Sequence, residues 1–360
     1  MTAEVTVGAL GALGPSAPSF RVRTGIPSAE LQRYGVAIRH LPLLSDDEDR
    51  RFHDGGPAPR VDIALRARSR LRRTLRENAD WQVSLVQRQV DLFPTLGLER
   101  LAARGRRLVL DVDDAIWLDR SREARGHALA ALKGTPRKLR WLAGHANVVI
   151  AGNELLAEWL SRYSRDVVVI PSLVDHREIP TRRHEQRDTV VLGWIGSRST
   201  AASLSQLRVA LSRLASQSGE VALELLTVGG RAPEVPGIRV RSEPWSESRE
   251  AEFLREVDIG LMPLPNDSWT RGKCAYKALQ YMAAGIPVVA DDVGVSAKVI
   301  GHEQAGLIAH DDDEWARSLA TLVEDPELRT RLGSKGRQQV EEGYSVERWA
   351  PRLAEVLRGP

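Results

Sequence analysis

The chain has 360 residues, enough for two globular domains of about 150 residues each, and its 42% hydrophobic and 28% charged residues are those of a soluble protein with real cores. Its 51 basic and 48 acidic side chains leave a net charge of only +3, which does not imply a nucleic-acid-coated surface. A single cysteine, Cys274, excludes an intramolecular disulfide and any multi-cysteine zinc site. No apolar run has the length of a membrane span, and the start lacks a signal-peptide pattern, so a cytoplasmic protein is expected.

Residues 9–19 read as a flexible loop after a first strand, and the spacing of Gly8, Gly11 and Gly14 misses Gly-x-Gly-x-x-Gly, which disfavours a nicotinamide dehydrogenase. Strands are predicted at Val36–Leu41, Gln82–Val86, Arg107–Val112, Asn147–Ala151 and Asp166–Ile170, with helices over 61–77, 123–143 and 153–162 between them. A polar stretch, 175–188, reads as a linker. Beyond it lie strands at Val190–Ile195, Val221–Val228, Val257–Pro263, Pro287–Ala290 and Gly306–Ala309, and a helix over 203–216. Strands that are apolar throughout and separated by helices mean parallel, doubly wound α/β sheets, two of them, with ligands expected in a cleft between domains.

Three segments carry candidate chemistry. After the strand ending at Ile195, Gly196, Ser197, Arg198, Ser199 and Thr200 form a turn into a helix, where capping hydroxyls, bare N–H groups and a guanidinium suit a phosphate. In 258–290, a loop with Asn266 and Trp269 precedes a helix expected from about 273, placing Lys273, Lys277 and Gln280 on one face. All but six of the 51 basic residues are arginine, so two lysines at one helix start point to a bound anion. A solvated polar face is the alternative for this segment, and simple capping for the first.

In Leu108–Trp117, Asp111, Asp113 and Asp114 end a strand, where Asp-x-Asp could serve as base, hydroxyl binder, loop cap or cation ligand. Strand alternation sends Asp111 and Asp113 one way and Asp114 the other. Seven arginines in residues 60–76 suit an anionic partner or a membrane surface, with a solvated face as the preferred reading. P-loop, His-Glu-x-x-His and Gly-x-Ser-x-Gly motifs are absent.

Val190–Thr200, Leu225-Leu-Thr-Val-Gly-Gly230, Ala278–Ala290, in which Ala283-Ala-Gly-Ile-Pro-Val-Val-Ala290 is the most specific piece, and Gly306-Leu-Ile308 set the second half apart. On these segments it resembles the donor domain of family-4, GT-B retaining glycosyltransferases (group 1). Tyr344–Ala350 resembles that family's final helix, which crosses back to the N-terminal domain. The resemblance implies two Rossmann-like doubly wound domains facing across a cleft: an acceptor domain, 1–175, a donor domain, 190–343, and a returning helix, 344–360.

It also implies transfer of a sugar from a nucleotide diphosphate sugar to an unidentified hydroxyl-bearing acceptor, with retained configuration, no essential metal and no other cofactor. The family's paired glutamates fall here on Gly272 and Gln280, and its histidine-aspartate pair on Asp113 and Asp114. The resemblance thus gives catalytic roles to Arg198, Lys273 and Asp113. Donor contacts fall to Gly196, Ser197, Ser199, Thr200, Gly229, Trp245, Asn266, Trp269, Gly272, Tyr276, Lys277 and Gln280, and acceptor-side positions are Gly14 and Asp114. Nucleic acid is not expected as a partner, and peripheral membrane contact is the less favoured expectation. A protein of this fold that binds without transfer, or an epimerase or hydrolase on it, is the alternative.

Overall fold

The computed structural model describes residues 4–77, 80–118, 134–197, 200–219 and 221–359. The chain divides into two compact units: Met1–Leu173 with Gly272–Cys274 and Val346–Pro360, and Val174–Arg271 with Ala275–Ser345. Among the described residues, no helix is long and apolar enough to cross a membrane.

The first unit is built on six parallel strands, β1 (Val5–Gly11), β2 (Val36–Pro42), β3 (Val83–Gln87), β4 (Arg107–Val112), β5 (Val148–Ala151) and β6 (Val167–Val169), in the order β2-β1-β3-β4-β5-β6. The central strands are buried on both faces, which is why they read as continuous apolar runs. Helix Val346–Arg358 belongs to this unit. It sets Ala350, Leu353, Ala354 and Leu357, spaced by one helical turn, into the core with Val7, Leu85, Val109 and Ile150.

The second unit holds β7 (Thr189–Ile195), β8 (Ala222–Val228), β9 (Ile238–Glu243), β10 (Ile259–Met262), β11 (Val288–Asp291) and β12 (Gly306–Ala309), also parallel, ordered β12-β11-β10-β7-β8-β9. Counted from its own first strand, this is the 3-2-1-4-5-6 order of a Rossmann sheet. The order reverses between β7 and β10. A crevice therefore opens beyond their carboxyl ends, where Gly196 and Pro263 begin their loops.

Several boundaries differ from the sequence reading. Residues 9–11 finish β1, and the loop after it is short: Pro18–Phe20 is already helical and runs into a wide turn over Arg21–Gly25, closed by Ile26 N–H to the Arg21 carbonyl (2.8 Å). The segment 175–188 is packed into the second unit, where Arg182 Nη2 donates to Asp258 (2.8 Å) and its N–H to the Ala284 carbonyl (2.7 Å). Strand β9 was not predicted. It is an edge strand whose Ile-Arg-Val-Arg-Ser-Glu alternates polar and apolar. Of the helix expected over 123–143, the described part is Thr135–His145, and 119–133 lie outside the described residues.

Candidate functional site

At the crevice of the second unit, the loops after β7 and β8 close on each other. Gly196 N–H donates to the Val228 carbonyl (3.0 Å) and Gly229 N–H to the Glu243 carbonyl (2.9 Å). Gly229 has φ +84°, a left-handed conformation, and any Cβ there would collide with the Gly196 carbonyl oxygen. A Cβ on Gly196 would stand 2.8 Å from Lys277 Nζ and 2.7 Å from the Trp194 ring. Glycine at 196 thus lets the ammonium approach the loop backbone. Lys277 Nζ lies 4.2 Å from the Trp194 ring centroid, a cation–π contact that holds its long side chain at this edge.

Helix Tyr276–Ala283 presents Gln280 one turn after Lys277. Gln280 Nε2 donates to Glu250 Oε1 (2.9 Å), and Trp245 Nε1 donates to Glu250 Oε2 (2.9 Å). Trp245 in turn lies against Gly229, where an added Cβ would be 3.3 Å from its Cβ. Lys277, Gly196, Gly229, Trp245, Glu250 and Gln280 therefore form one linked rim. It combines a cation, two glycine segments without side chains, an indole, a carboxylate and an amide. The helix is fixed from below by buried Tyr281, whose hydroxyl accepts from Ile195 N–H at the end of β7 (3.1 Å).

A second cluster forms in the first unit, where β3 and β4 end. Asp111, the last carboxylate inside β4, is ion-paired with Arg23 (2.7 Å), and both are buried. The wide turn Arg21–Gly25 aims this guanidinium, whose Nη1 also donates to the Ile170 and Pro171 carbonyls (3.0 and 2.6 Å). Asp113 accepts from Arg88 Nε (2.6 Å) and Gln87 Nε2 (3.0 Å), while Asp114 faces Arg88 Nη2 (3.4 Å) and Lys273 Nζ (4.0 Å). Arg88 takes φ +63°, rare for a residue with a Cβ, and this aims its side chain back over the strand ends. The two neighbouring aspartates thus converge on one arginine. Strand alternation does not apply to them because β4 ends at Val112.

Burial pushes the Asp111 and Asp114 carboxyls up. For Asp114, Arg88 and Lys273 offset this only in part. Asp113 is equally buried, but Arg88 and Arg23 outweigh that penalty and hold its carboxyl below the ordinary aspartate range. Cys274 donates its thiol to the Asp113 carbonyl (3.2 Å), and burial together with the Asp113 charge pushes the thiol up to about 12. Asn153 Nδ2 donates to the carbonyls of Gly272 and Lys273 (both 3.2 Å), fixing the tripeptide Gly272–Cys274 in this unit.

The structure separates residues that the sequence grouped. The helix starts at Tyr276 after Ala275 in a left-handed conformation (φ +51°), so Lys273 precedes it and belongs to the first unit instead of sharing a face with Lys277 and Gln280. Gly272 packs against Ala115 in that unit, and Gly14 lies on Asp46 in a turn closed by Ala17 N–H to its carbonyl (2.9 Å). Thr200 precedes the helical turn Ala201–Leu207, but its hydroxyl bonds back to the Ser197 carbonyl (3.0 Å) and caps nothing forward. Ser197 is exposed, and Arg198 and Ser199 lie outside the described residues. Asn266 accepts from Arg271 Nε (2.9 Å), Trp269 is half-buried, and Tyr276 packs on the core beneath the rim.

Arg23, Arg88, Asn153 and Glu250 were not singled out from sequence. In a chain whose usual cation is arginine, nothing marks Arg23 or Arg88. Glu250 carries one local sign, its position within the first turn of the Ser246-capped helix Glu247–Glu256 that follows Trp245.

Residues 189–325 match the sequence family described as glycosyl transferases group 1. A D-inositol 3-phosphate glycosyltransferase of Thermobispora bispora is 35% identical over 121 residues, covering 32% of this chain and 27% of that protein. That of Rhodococcus erythropolis is 24% identical over 290 residues, covering 67% of this chain and 64% of that protein. The chain thus spans less than two thirds of the length of these relatives. Sucrose-phosphate synthase of Thermosynechococcus elongatus shares the fold at a TM-score of 0.69 with 15% identity, over 99% of this chain and 98% of that one. HepE of Anabaena, solved in complex with UDP-glucose, shares it at 0.64 with 13% identity, over 99% of this chain and 100% of that one. The architecture is that of GT-B proteins, two Rossmann-like units with parallel six-stranded sheets.

Proposed function

Starting from a chain that carries a group 1 glycosyltransferase domain at residues 189–325, we propose that it transfers a sugar from a nucleotide diphosphate sugar to a hydroxyl-bearing acceptor, with retention of configuration and without a required metal. The observation that carries this reading is the linked rim Lys277–Gly196–Gly229–Trp245–Glu250–Gln280 at the switch point of the second sheet. Departure of a nucleoside diphosphate builds negative charge on its phosphate oxygens. A fixed ammonium and backbone N–H groups stabilise that charge where they are aimed before the reaction starts. Lys277 is the cation at this edge suited to such a group, and Arg198 follows two residues after Gly196 in the chain.

Glu250, held by Gln280 and Trp245, offers a carboxylate to the vicinal hydroxyls of a ribose. Gln280 sets its orientation through one amide N–H and keeps a second N–H and its carbonyl for the ligand. In the first unit, Asp113 and Asp114 at the strand ends are the groups suited to an acceptor hydroxyl, and Arg88 and Lys273 set their charge. HepE was solved with UDP-glucose and the longer curated relatives are named D-inositol 3-phosphate glycosyltransferases, which supports a sugar nucleotide as donor.

The test is a panel of sugar nucleotides incubated with and without candidate acceptors. Nucleoside diphosphate released only when an acceptor is present supports transfer. Release without acceptor would replace transfer by hydrolysis. Binding with no release would favour a binding protein, the reading that Gln280 and Gly272 support by standing where the resemblance implies glutamates. Activity should persist in excess EDTA, and its loss there would overturn metal independence.

A further inference from the structure

Six of the seven arginines in the charge run on helix Pro57–Glu77 of the first unit fall into two groups. Arg60, Arg66 and Arg70 are committed internally: Arg60 to the Phe52 carbonyl (2.7 Å), Arg66 to Asp62 (2.9 Å) and Arg70 to Glu48 (2.6 Å). Arg68, Arg72 and Arg76 follow one another at four-residue steps on another side of the helix, in line with Val61 and Leu65. Helix Gly97–Ala103 packs beside them and adds Arg100 and Arg104. Together the two helices border a groove of about 300 Å³ lined by these five arginines, with Leu98 and Leu101 in its wall.

One end of the groove is fixed. Arg68 donates to buried Asp91 and to Thr95 (2.9 Å each) and lies 5.6 Å from the Phe93 ring centroid. Among the described residues, Arg72, Arg76, Arg100 and Arg104 have no acidic partner within ion-pair distance, so four like charges gather along the groove. On the same helix line, Val61 and Leu65 are 51% and 50% exposed.

We propose that this face docks the protein on a membrane surface bearing anionic phospholipid. The guanidiniums pair with lipid phosphates as bidentate donors. Val61 and Leu65, about two to four helical turns from Arg72 and Arg76 along the same helix, enter the boundary between headgroups and acyl chains. A soluble anion or a nucleic acid would satisfy the arginines but leave both apolar side chains in water. A bilayer satisfies both.

Co-sedimentation of the full chain with vesicles tests this. Vesicles of phosphatidylcholine with about one third phosphatidylglycerol should carry the protein down, and pure phosphatidylcholine should not. Binding should weaken steeply on raising salt from about 0.05 to about 0.5 M. R72A/R76A and R100A/R104A should each lower partitioning about 30-fold, two basic residues near the surface being removed in each. R72K/R76K, which keeps the charge, should retain most of the binding, and this separates charge from misfolding. V61S/L65S should weaken binding with the arginines intact. Equal binding to both vesicle types, no binding to either, or full retention in the arginine-to-alanine variants would overturn the proposal. So would saturable binding of inorganic phosphate at these arginines in a protein that ignores vesicles, which would make the groove a site for a soluble anion.

Discussion

Asp113 and Asp114 are neighbours in sequence, yet Arg88 holds one below the ordinary aspartate range while burial lifts the other above it. Removing Arg88 strands a buried carboxylate, so Arg88→Ala should cost about 3–5 kcal/mol of unfolding free energy, with Arg88→Lys recovering part of it, read by denaturant titration. Because the folded Asp113 carboxyl is depressed, its contribution is complete above the ordinary aspartate range and is lost as pH falls through the depressed value. That acid-side loss should be absent from Arg88→Ala.

Cys274 has the opposite sign. Its folded thiol ionises near 12, so its contribution is lost as pH rises from the ordinary thiol range toward 12. In the native protein it should react with iodoacetamide at least about 100-fold more slowly than in denaturant, and equal rates would contradict its burial. On the donor side, Lys277→Ala should weaken nucleoside diphosphate binding about tenfold or more, the size of one charge-assisted contact. Glu250→Ala should weaken binding of a ribonucleotide while leaving its 2′,3′-dideoxy counterpart nearly unchanged. Calorimetry reads both. The scarcity of lysine marked Lys277 in the sequence, but it marked Lys273 equally, and only the left-handed Ala275 and the late helix start tell the two apart.

Parallel strands buried on both faces are long unbroken apolar runs, and that is why β3, β4, β5, β7 and β8 were legible. β9 was not, because an edge strand with one wet face has only period-two alternation, and six residues of it resemble a loop. The turn after β7 was legible as a candidate from its glycine and hydroxyls. Its pairing with the β8 loop was not, since that contact depends on Gly229 at φ +84° and on register between two strands. Gly229→Ala should therefore lower both stability and nucleotide affinity, the strain costing about 1–3 kcal/mol. Nucleotide affinity unchanged in a folded Gly229→Ala protein would detach this loop pair from the site. Leu357→Ala, in the helix that fills the first unit's core, should cost about 2–5 kcal/mol of unfolding free energy, read by denaturant titration.

For the whole molecule, two Rossmann-like units were readable from the alternation of apolar strands and helical patterns, and the polar stretch 175–188 was visible as a break. That this stretch packs with the second unit, and that Gly272–Cys274 packs with the first, depends on Arg182 with Asp258 and on Asn153 with the Gly272 carbonyl, pairs far apart in sequence. A nucleoside diphosphate that binds the native state should raise the melting temperature, with about 2.7 kcal/mol of added stability at a hundred times its dissociation constant. A panel of bases read this way identifies the nucleotide.

The threading of the chain also orders its birth. The second unit is synthesised in full once Ser345 is added, whereas the first unit, begun earlier, lacks the helix that supplies Ala350, Leu353, Ala354 and Leu357 until Arg358 has been added. The first sheet therefore keeps an apolar face uncovered until that last helix is available. Of the two units, the one begun earlier is the one completed last, and until then its uncovered apolar face is open to misassembly.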